Sequence, residues 1–401
     1  MFARFRVSRL ALALAALALS ACANLPRVPY TEAQSRAALP DGIANVRLWG
    51  DLSADAYQPI VQALARASAT SGATDWLALS GGADDGAYGA GFLAGWTRSG
   101  TRPRFAVVSG VSTGALIAPL AFLGPDYDER IRTFYTDTKS ADIFVIKGIL
   151  PAFIGESIAD ITPLRGTVDR TIDAEMLARI AEEHRKGRRL YVVTTDLDAQ
   201  RPVIWDMGAI ASSGSPRALE LFRNVLIASA SVPGAFPPQL IDAQANGQSF
   251  EEMHVDGGAT MQLLVVPKSL ALSGSFAAWR RSAAPTIHII VNNKLDPDFD
   301  VVRRRTLTIA GRSFSTLIKS SAYGSVGDAY AFAKRNRFGY KLTSIDRDFT
   351  AKSNELFDPV YMQALYDYGY QRGLSGAWRS TFEDQPAIRN GKISVARAST
   401  N

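Results

Sequence analysis

The pentapeptide Gly110-Val111-Ser112-Thr113-Gly114 constrains this chain more than any other stretch. Before it, Phe105-Ala106-Val107-Val108-Ser109 is short, apolar and β-branched, the pattern of a buried strand. After it, Ala115 to Leu123 reads as a buried helix with Pro119 in its first turns. Strand, sharp turn and helix form the context in which a G-x-S-x-G sequence exposes a serine hydroxyl at the end of a sheet. A side chain at either flanking glycine would crowd the neighbouring strand or helix. Ser112 is therefore the candidate nucleophile, and a purely structural turn is the plain alternative.

About 30 residues earlier the same architecture occurs once before. Trp76-Leu77-Ala78-Leu79-Ser80 reads as a buried strand and runs into Gly81-Gly82-Ala83-Asp84-Asp85-Gly86, followed by a helix from Ala87 to about Arg98. A glycine-rich turn entering a helix aims several backbone N–H groups at one spot, where the helix dipole also favours negative charge. The turn lacks the Lys-Ser/Thr ending of a nucleotide-binding loop, and Asp84 and Asp85 would repel a phosphate. Beside a nucleophile turn, its better use is to hold the oxyanion of an acyl-transfer transition state through Gly81, Gly82 and Ala83.

Composition sets the frame. With 47% hydrophobic and 20% charged residues among 401, the chain can bury a large core and is neither disordered nor a coiled coil. Net charge is +6, and about +3 once Arg4, Arg6 and Arg9 are set aside, dispersed in a way that gives no argument for nucleic acid. Those arginines precede a Leu/Ala stretch from Leu10 to Leu19, too short to span a bilayer. Leu19-Ser20-Ala21-Cys22 then resembles the processing box of bacterial lipoproteins, in which the cysteine is lipidated and becomes the new N-terminus. Residues 1–21 are thus expected to be a signal peptide and 22–40 a lipidated tether, either free or strapped to the domain. Ala23 after the cysteine favours the outer membrane by the same resemblance. Cys22 is the only cysteine, which excludes an intramolecular disulfide and a thiolate metal cluster.

Residues 41–385 are expected to form one domain, with its motifs between 75 and 293 and a loose polar tail at 386–401. A strand at Val46 to Trp49 and a helix at Gln58 to Ala69 open it. Gly124 to Glu183 reads as mostly helical, and the apolar stretch Ile143 to Ile161 is a candidate pocket cover or a surface connection. Arg189 to Asp196 and Pro202 to Asp206 form a hairpin, and Ala218 to Ala230 a helix. Thr286 to Asn292 is apolar throughout, as in a sheet buried on both faces. Helix over Val301 to Asn336, a strand at Tyr340 to Ile345 and a Tyr-rich helix at Met362 to Arg372 complete the pattern.

Four ordered motifs resemble the patatin-like phospholipases: Leu79 to Tyr88, Gly110 to Gly114, Ala228-Ser229-Ala230-Ser231-Val232-Pro233-Gly234-Ala235-Phe236-Pro237-Pro238, and Val255-Asp256-Gly257-Gly258. The resemblance implies a three-layer α/β/α fold with a mostly parallel central sheet. It also implies a catalytic dyad of Ser112 and Asp256 with no histidine. Asp256 takes the serine proton and returns it to the leaving alcohol, while water releases a fatty acid from the acyl-enzyme, and the scheme needs neither metal nor organic cofactor. Phospholipid or another acyl ester is the implied substrate. The chain departs from the family pattern at Ala83, where a third glycine is usual, and at Asp85, where Arg or Lys is usual. The reversed charge motivates a second reading, in which the fold is kept as a lipid- or protein-binding module.

Three histidines remain to be placed. His184 lies in a charged run and reads as a solvated helix face, while His254 shares a strand face with Asp256. His288 lies inside an apolar strand, as a core histidine does, although chain order also permits it as the base of a Ser-His-Asp triad.

Overall fold

The computed structural model describes residues 27–382, apart from 138, 147–155, 274–275, 277–283 and 354. The segment expected to be a signal peptide, with Cys22, the middle of the apolar stretch Ile143 to Ile161 (147–155), and the polar tail lie outside the described residues. No described helix is long and apolar enough to cross a membrane.

Ten strands form the central sheet: β1 (Leu39–Pro40), β2 (Arg47–Trp49), β3 (Asp75–Leu79), β4 (Phe105–Val111), β5 (Arg189–Asp196), β6 (Arg201–Asp206), β7 (Gln239–Ala245), β8 (Gln248–Asp256), β9 (Thr286–Lys294) and β10 (Gly339–Ile345). Strands β5, β4, β3, β9 and β10 lie side by side and parallel. Of these, β3, β4 and most of β9 are apolar with little alternation, because both of their faces are covered. In β3, Leu77 and Leu79 enter one core, while Trp76 and Ala78 enter the other. Helices α2 (Gly86–Arg98), α3 (Thr113–Leu123), α4 (Ala218–Ser229) and α6 (Pro359–Leu374) cover the first face. Helix α1 (Ala54–Ser71) and the C-terminal half of α5 (Thr306–Asn336) cover the second. The result is the three-layer α/β/α arrangement, with a largely parallel sheet, that the motifs implied.

The remaining strands are antiparallel and extend the sheet beyond β5. The hairpin β7–β8 turns at Asn246 and Gly247, both at positive φ, the two-residue turn whose twist suits flanking strands. Its alternation, buried at every second residue of β7, is visible in the sequence, yet only its last residues were expected as strand. Helix α5 begins at Thr306 rather than Val301, so 301–305 enter it as irregular chain.

The chain before the domain is a strap. Arg27 makes a two-pronged ion pair with Asp198 at 2.8 and 2.6 Å, Tyr30 stacks on Phe250, and β1 pairs with β7. At least from Arg27 onward, this segment is packed rather than free.

Helices α2 and α6 cross with their backbones nearly touching. A Cβ on Gly91 or Gly95 would stand 2.0 Å from the carbonyl oxygens of Tyr366 or Tyr370. One on Gly369 or Gly373 would meet those of Tyr88 or Phe92 at 2.3 and 2.1 Å. Glycine on both sides permits this approach, which fixes the start of α6 beside the start of α2.

Candidate active site

Strand β5 brings the two expected catalytic residues together. Along one edge it pairs first with β4, ending at Val111 opposite Val193. One residue further the same edge is taken over by β8, with Asp256 opposite Thr194. Ser112, the residue after Val111, therefore turns where Asp256 arrives. Both are buried, at 6% and 5% exposure.

Ser112 sits at φ +55° and ψ −125°, a conformation that costs on the order of 1–3 kcal/mol in a residue with a side chain. The motif segment at the end of α4 holds it there. The Ser112 amide donates to Ser229 Oγ at 3.0 Å, and that hydroxyl donates to the Val193 carbonyl at 2.7 Å. Two residues on, the Ser231 carbonyl accepts from the Asp256 amide at 2.9 Å. One short segment thus clamps the backbone of both residues, a role its Pro-rich sequence does not reveal.

Asp256 Oδ1 accepts from the Gly258 amide at 2.7 Å. Oδ2 is buried without a formed hydrogen bond. Burial pushes the carboxyl up to about 7, while the nearby Ser112 hydroxyl and the Gly258 amide work in the opposite direction. A carboxylate with one free oxygen beside a serine, titrating near neutrality, is matched to taking and returning a proton.

The glycine-rich turn lies alongside. A Cβ on Gly81 would stand 3.1 Å from that of Ser112, so the two turns touch. Gly81 donates its amide to the Gln262 carbonyl at 3.3 Å. The N–H groups of Gly82 and Ala83 donate to no acceptor among the described residues, which leaves them as the open donors of the three. Asn292, at the end of β9, builds this loop: its amide donates to Ser80 Oγ and its Nδ2 to the Ser80 carbonyl, both at 2.9 Å. Its Oδ1 accepts from the Gly89 amide in the first turn of α2, and a Cβ on Gly82 would collide with its carbonyl oxygen at 1.8 Å. A polar residue ending an apolar strand was the available signal for Asn292. Ala83 adopts φ +50°, so the departure from glycine is a strained alanine.

Asp84 and Asp85 face the C-terminal segment. Asp84 Oδ2 accepts from the Phe357 amide at 3.2 Å, and Asp85 Oδ1 from the Tyr361 hydroxyl at 2.6 Å. Burial pushes Asp85 up to about 7, with Tyr361, Lys294 and Lys319 opposing it and Asp84 reinforcing it.

The histidines stand apart from the serine. His288 bonds Asp75 Oδ2 through Nε2 at 3.0 Å and is packed among Trp96, Phe105 and Trp378. It lies opposite Leu77, toward the start of the parallel strands, about 13 Å along the sheet from the Ser112 turn. That position removes the triad alternative. His184 is half-buried against Gly208, 3.5 Å from Asp206, and not a solvated face. His254 shares a sealed cluster with Asp196 and Glu252, and Arg47 grips Glu252 with two hydrogen bonds. A cleft of about 310 Å³ opens past the Asp256 turn, bounded by Thr260, Met261, Leu263, Val266 and Ala329.

A strained serine between strand and helix, a buried carboxylate at its side and a loop of open amides are the groups that acyl transfer by a serine would require, set in an α/β fold. Residues 77–266 match the family model described as patatin-like phospholipase, so the chain carries a patatin-like domain over that stretch. The family is one of lipid acyl hydrolases. Among solved structures, the crystal structure of VipD from Legionella pneumophila is similar at a TM-score of 0.39 and 14% identity, covering 77% of this chain and 68% of that one. That likeness is too distant to carry residues from one to the other. No curated protein matches the chain.

Proposed function

We propose that this protein hydrolyses acyl esters of lipids through a Ser112–Asp256 dyad. The observation that carries the reading is the register of β5, along which Ser112 and the free Oδ2 of Asp256 come together at the C-terminal end of the parallel strands. Ser112 Oγ attacks the ester carbonyl as its proton passes to Asp256, and the amides of Gly82 and Ala83 receive the developing oxyanion. Asp256 returns the proton to the alcohol, which leaves. Water then attacks the acyl-enzyme, giving its proton to Asp256, and the fatty acid departs as Ser112 is reprotonated.

Phospholipid is the proposed substrate class, and an acyl chain on Cys22 at the outer membrane the proposed anchor. Asp85 supports catalysis over a binding-only module, because its carboxylate is engaged with Tyr361. Purified protein should hydrolyse p-nitrophenyl esters and label with a fluorophosphonate. Ser112→Ala should abolish both, and Asp256→Asn should abolish turnover. Labelling that survives Ser112→Ala overturns the dyad. Radiolabelled palmitate incorporated by cells making the wild type and not Cys22→Ala would support the anchor.

A further inference from the structure

Between Leu295 and Ala322 no described side chain is buried, although this stretch contains the first four turns of α5. Phe299 is 95% exposed, Val301 77% and Leu317 68%, with Ile309 and Phe314 also exposed. At about 100° per residue, Ile309, Leu317 and Phe314 fall within an arc of about 140° on α5. Arg312 and Lys319 fall on the other half, and these polar groups are the ones that touch protein. Lys319 Nζ donates to the Asp296 carbonyl at 2.9 Å and pairs with Asp298 at 3.2 Å, and Arg312 donates to the Asp298 carbonyl. In this half of the helix the two basic side chains fold back on the segment that precedes it, while Ile309, Phe314 and Leu317 stay exposed, the reverse of the usual surface pattern.

Charge identifies what covers it. Arg303, Arg304 and Arg305 are exposed and have no carboxylate partner among the described residues. Across 299–320 the only acid is Asp300. Apolar side chains flanked by unpaired arginines fit the boundary between lipid headgroups and acyl chains of an anionic bilayer. The stretch also leaves the sheet at the right place. It follows β9, whose Asn292 holds the glycine-rich turn, so it projects from the edge that carries Ser112.

We propose that residues 299–317 form a docking surface for an anionic phospholipid bilayer, seating the Ser112 edge against the membrane independently of any anchor at Cys22. The choice of lipid as occupant rests on the acyl-hydrolase reading, and the test separates the two. In the full chain carrying Cys22→Ala, Leu317→Cys provides the only cysteine and takes an environment-sensitive fluorophore. Its emission should shift to the blue and be quenched by brominated acyl chains on phosphatidylglycerol-containing vesicles, and far less on phosphatidylcholine alone. Reversing Arg303, Arg304 and Arg305 to Glu should weaken partitioning by about tenfold or more. Turnover of a soluble p-nitrophenyl ester should be unchanged by these substitutions, and its absence in the parent protein would count against the dyad alone. An unshifted probe on anionic vesicles overturns the proposal. So does a shift that appears without vesicles and grows with protein concentration, which would make a second copy the occupant.

Discussion

The Tyr361 hydroxyl donates to Asp85 Oδ1 at 2.6 Å, joining the turn before α2 to the first residues of α6 across 276 positions of sequence. The acid stands where the family usually carries a base, yet it has a partner supplied by the same chain. Lys294 and Lys319 also favour its charge. An arginine at this position would lose the tyrosine as an acceptor-seeking donor and face two lysines. Asp85→Arg should therefore lower the thermal midpoint, by a destabilisation of about 1–3 kcal/mol, and should not raise ester turnover. Differential scanning fluorimetry alongside the ester assay checks both. A gain of activity would revive the binding-module reading.

On the proposed dyad, Asp256 should make activity and stability respond oppositely to pH. The base must be ionised, so kcat/KM should rise with pH through about 7 and fall off below it. The folded pKa is raised above the unfolded value, so the fold gains from neutral Asp256 at low pH and loses that gain as pH rises through about 7. Asp256→Asn removes the ionisation. Its stability should match wild type near pH 4 and exceed it above pH 7 by about 2–4 kcal/mol, read as a higher thermal midpoint. A wild-type rate profile flat from pH 5 to about 8 would contradict the assignment.

The Gly-x-Ser-x-Gly turn and the Asp-Gly-Gly turn were legible because each is local: strand, glycine and helix signals lie within a few residues. The sequence did not show why they meet, because that depends on β5 exchanging partners between Val193 and Thr194, a pairing with no local mark. Asn292 and Gln262 escaped for the same reason, since each acts on a turn about two hundred residues away in the chain. The glycines of α2 and α6 were visible as spacing, but only their facing carbonyls reveal a crossing. His288 was read correctly as core, and it is the paired Asp75 that the apolar pattern could not supply.

The clamp on Ser112 makes Ser229 a positioning residue. Ser229→Ala leaves the buried Ser112 amide and the Val193 carbonyl without their shared partner. The expected cost is about 1–3 kcal/mol of stability, with kcat falling more than KM changes, because the nucleophile loses its fixed conformation. Ser229→Thr, which retains the hydroxyl, should recover part of kcat. Equal loss in both variants would show that the methyl-sized space, not the hydrogen bond, is what matters.

Ala83 and Gly82 separate strain from collision in the same loop. Ala83 carries a methyl at φ +50°, so Ala83→Gly relieves backbone strain while adding freedom to the unfolded chain, and should shift stability by no more than about 1 kcal/mol in either direction. Its open amide is retained, and turnover should be preserved or modestly raised. Gly82→Ala is different in kind. Its Cβ would stand 1.8 Å from the Asn292 carbonyl, which is fixed by β9 and by three hydrogen bonds of the Asn292 amide and side chain. The loop must move, and its amide with it, so turnover of even the smallest ester should fall by about 10²-fold or more, the scale of losing one oxyanion donor. Fluorophosphonate labelling of Ser112 should slow in parallel. If Gly82→Ala labelled and turned over like wild type, the glycine-rich turn would have no part in the chemistry.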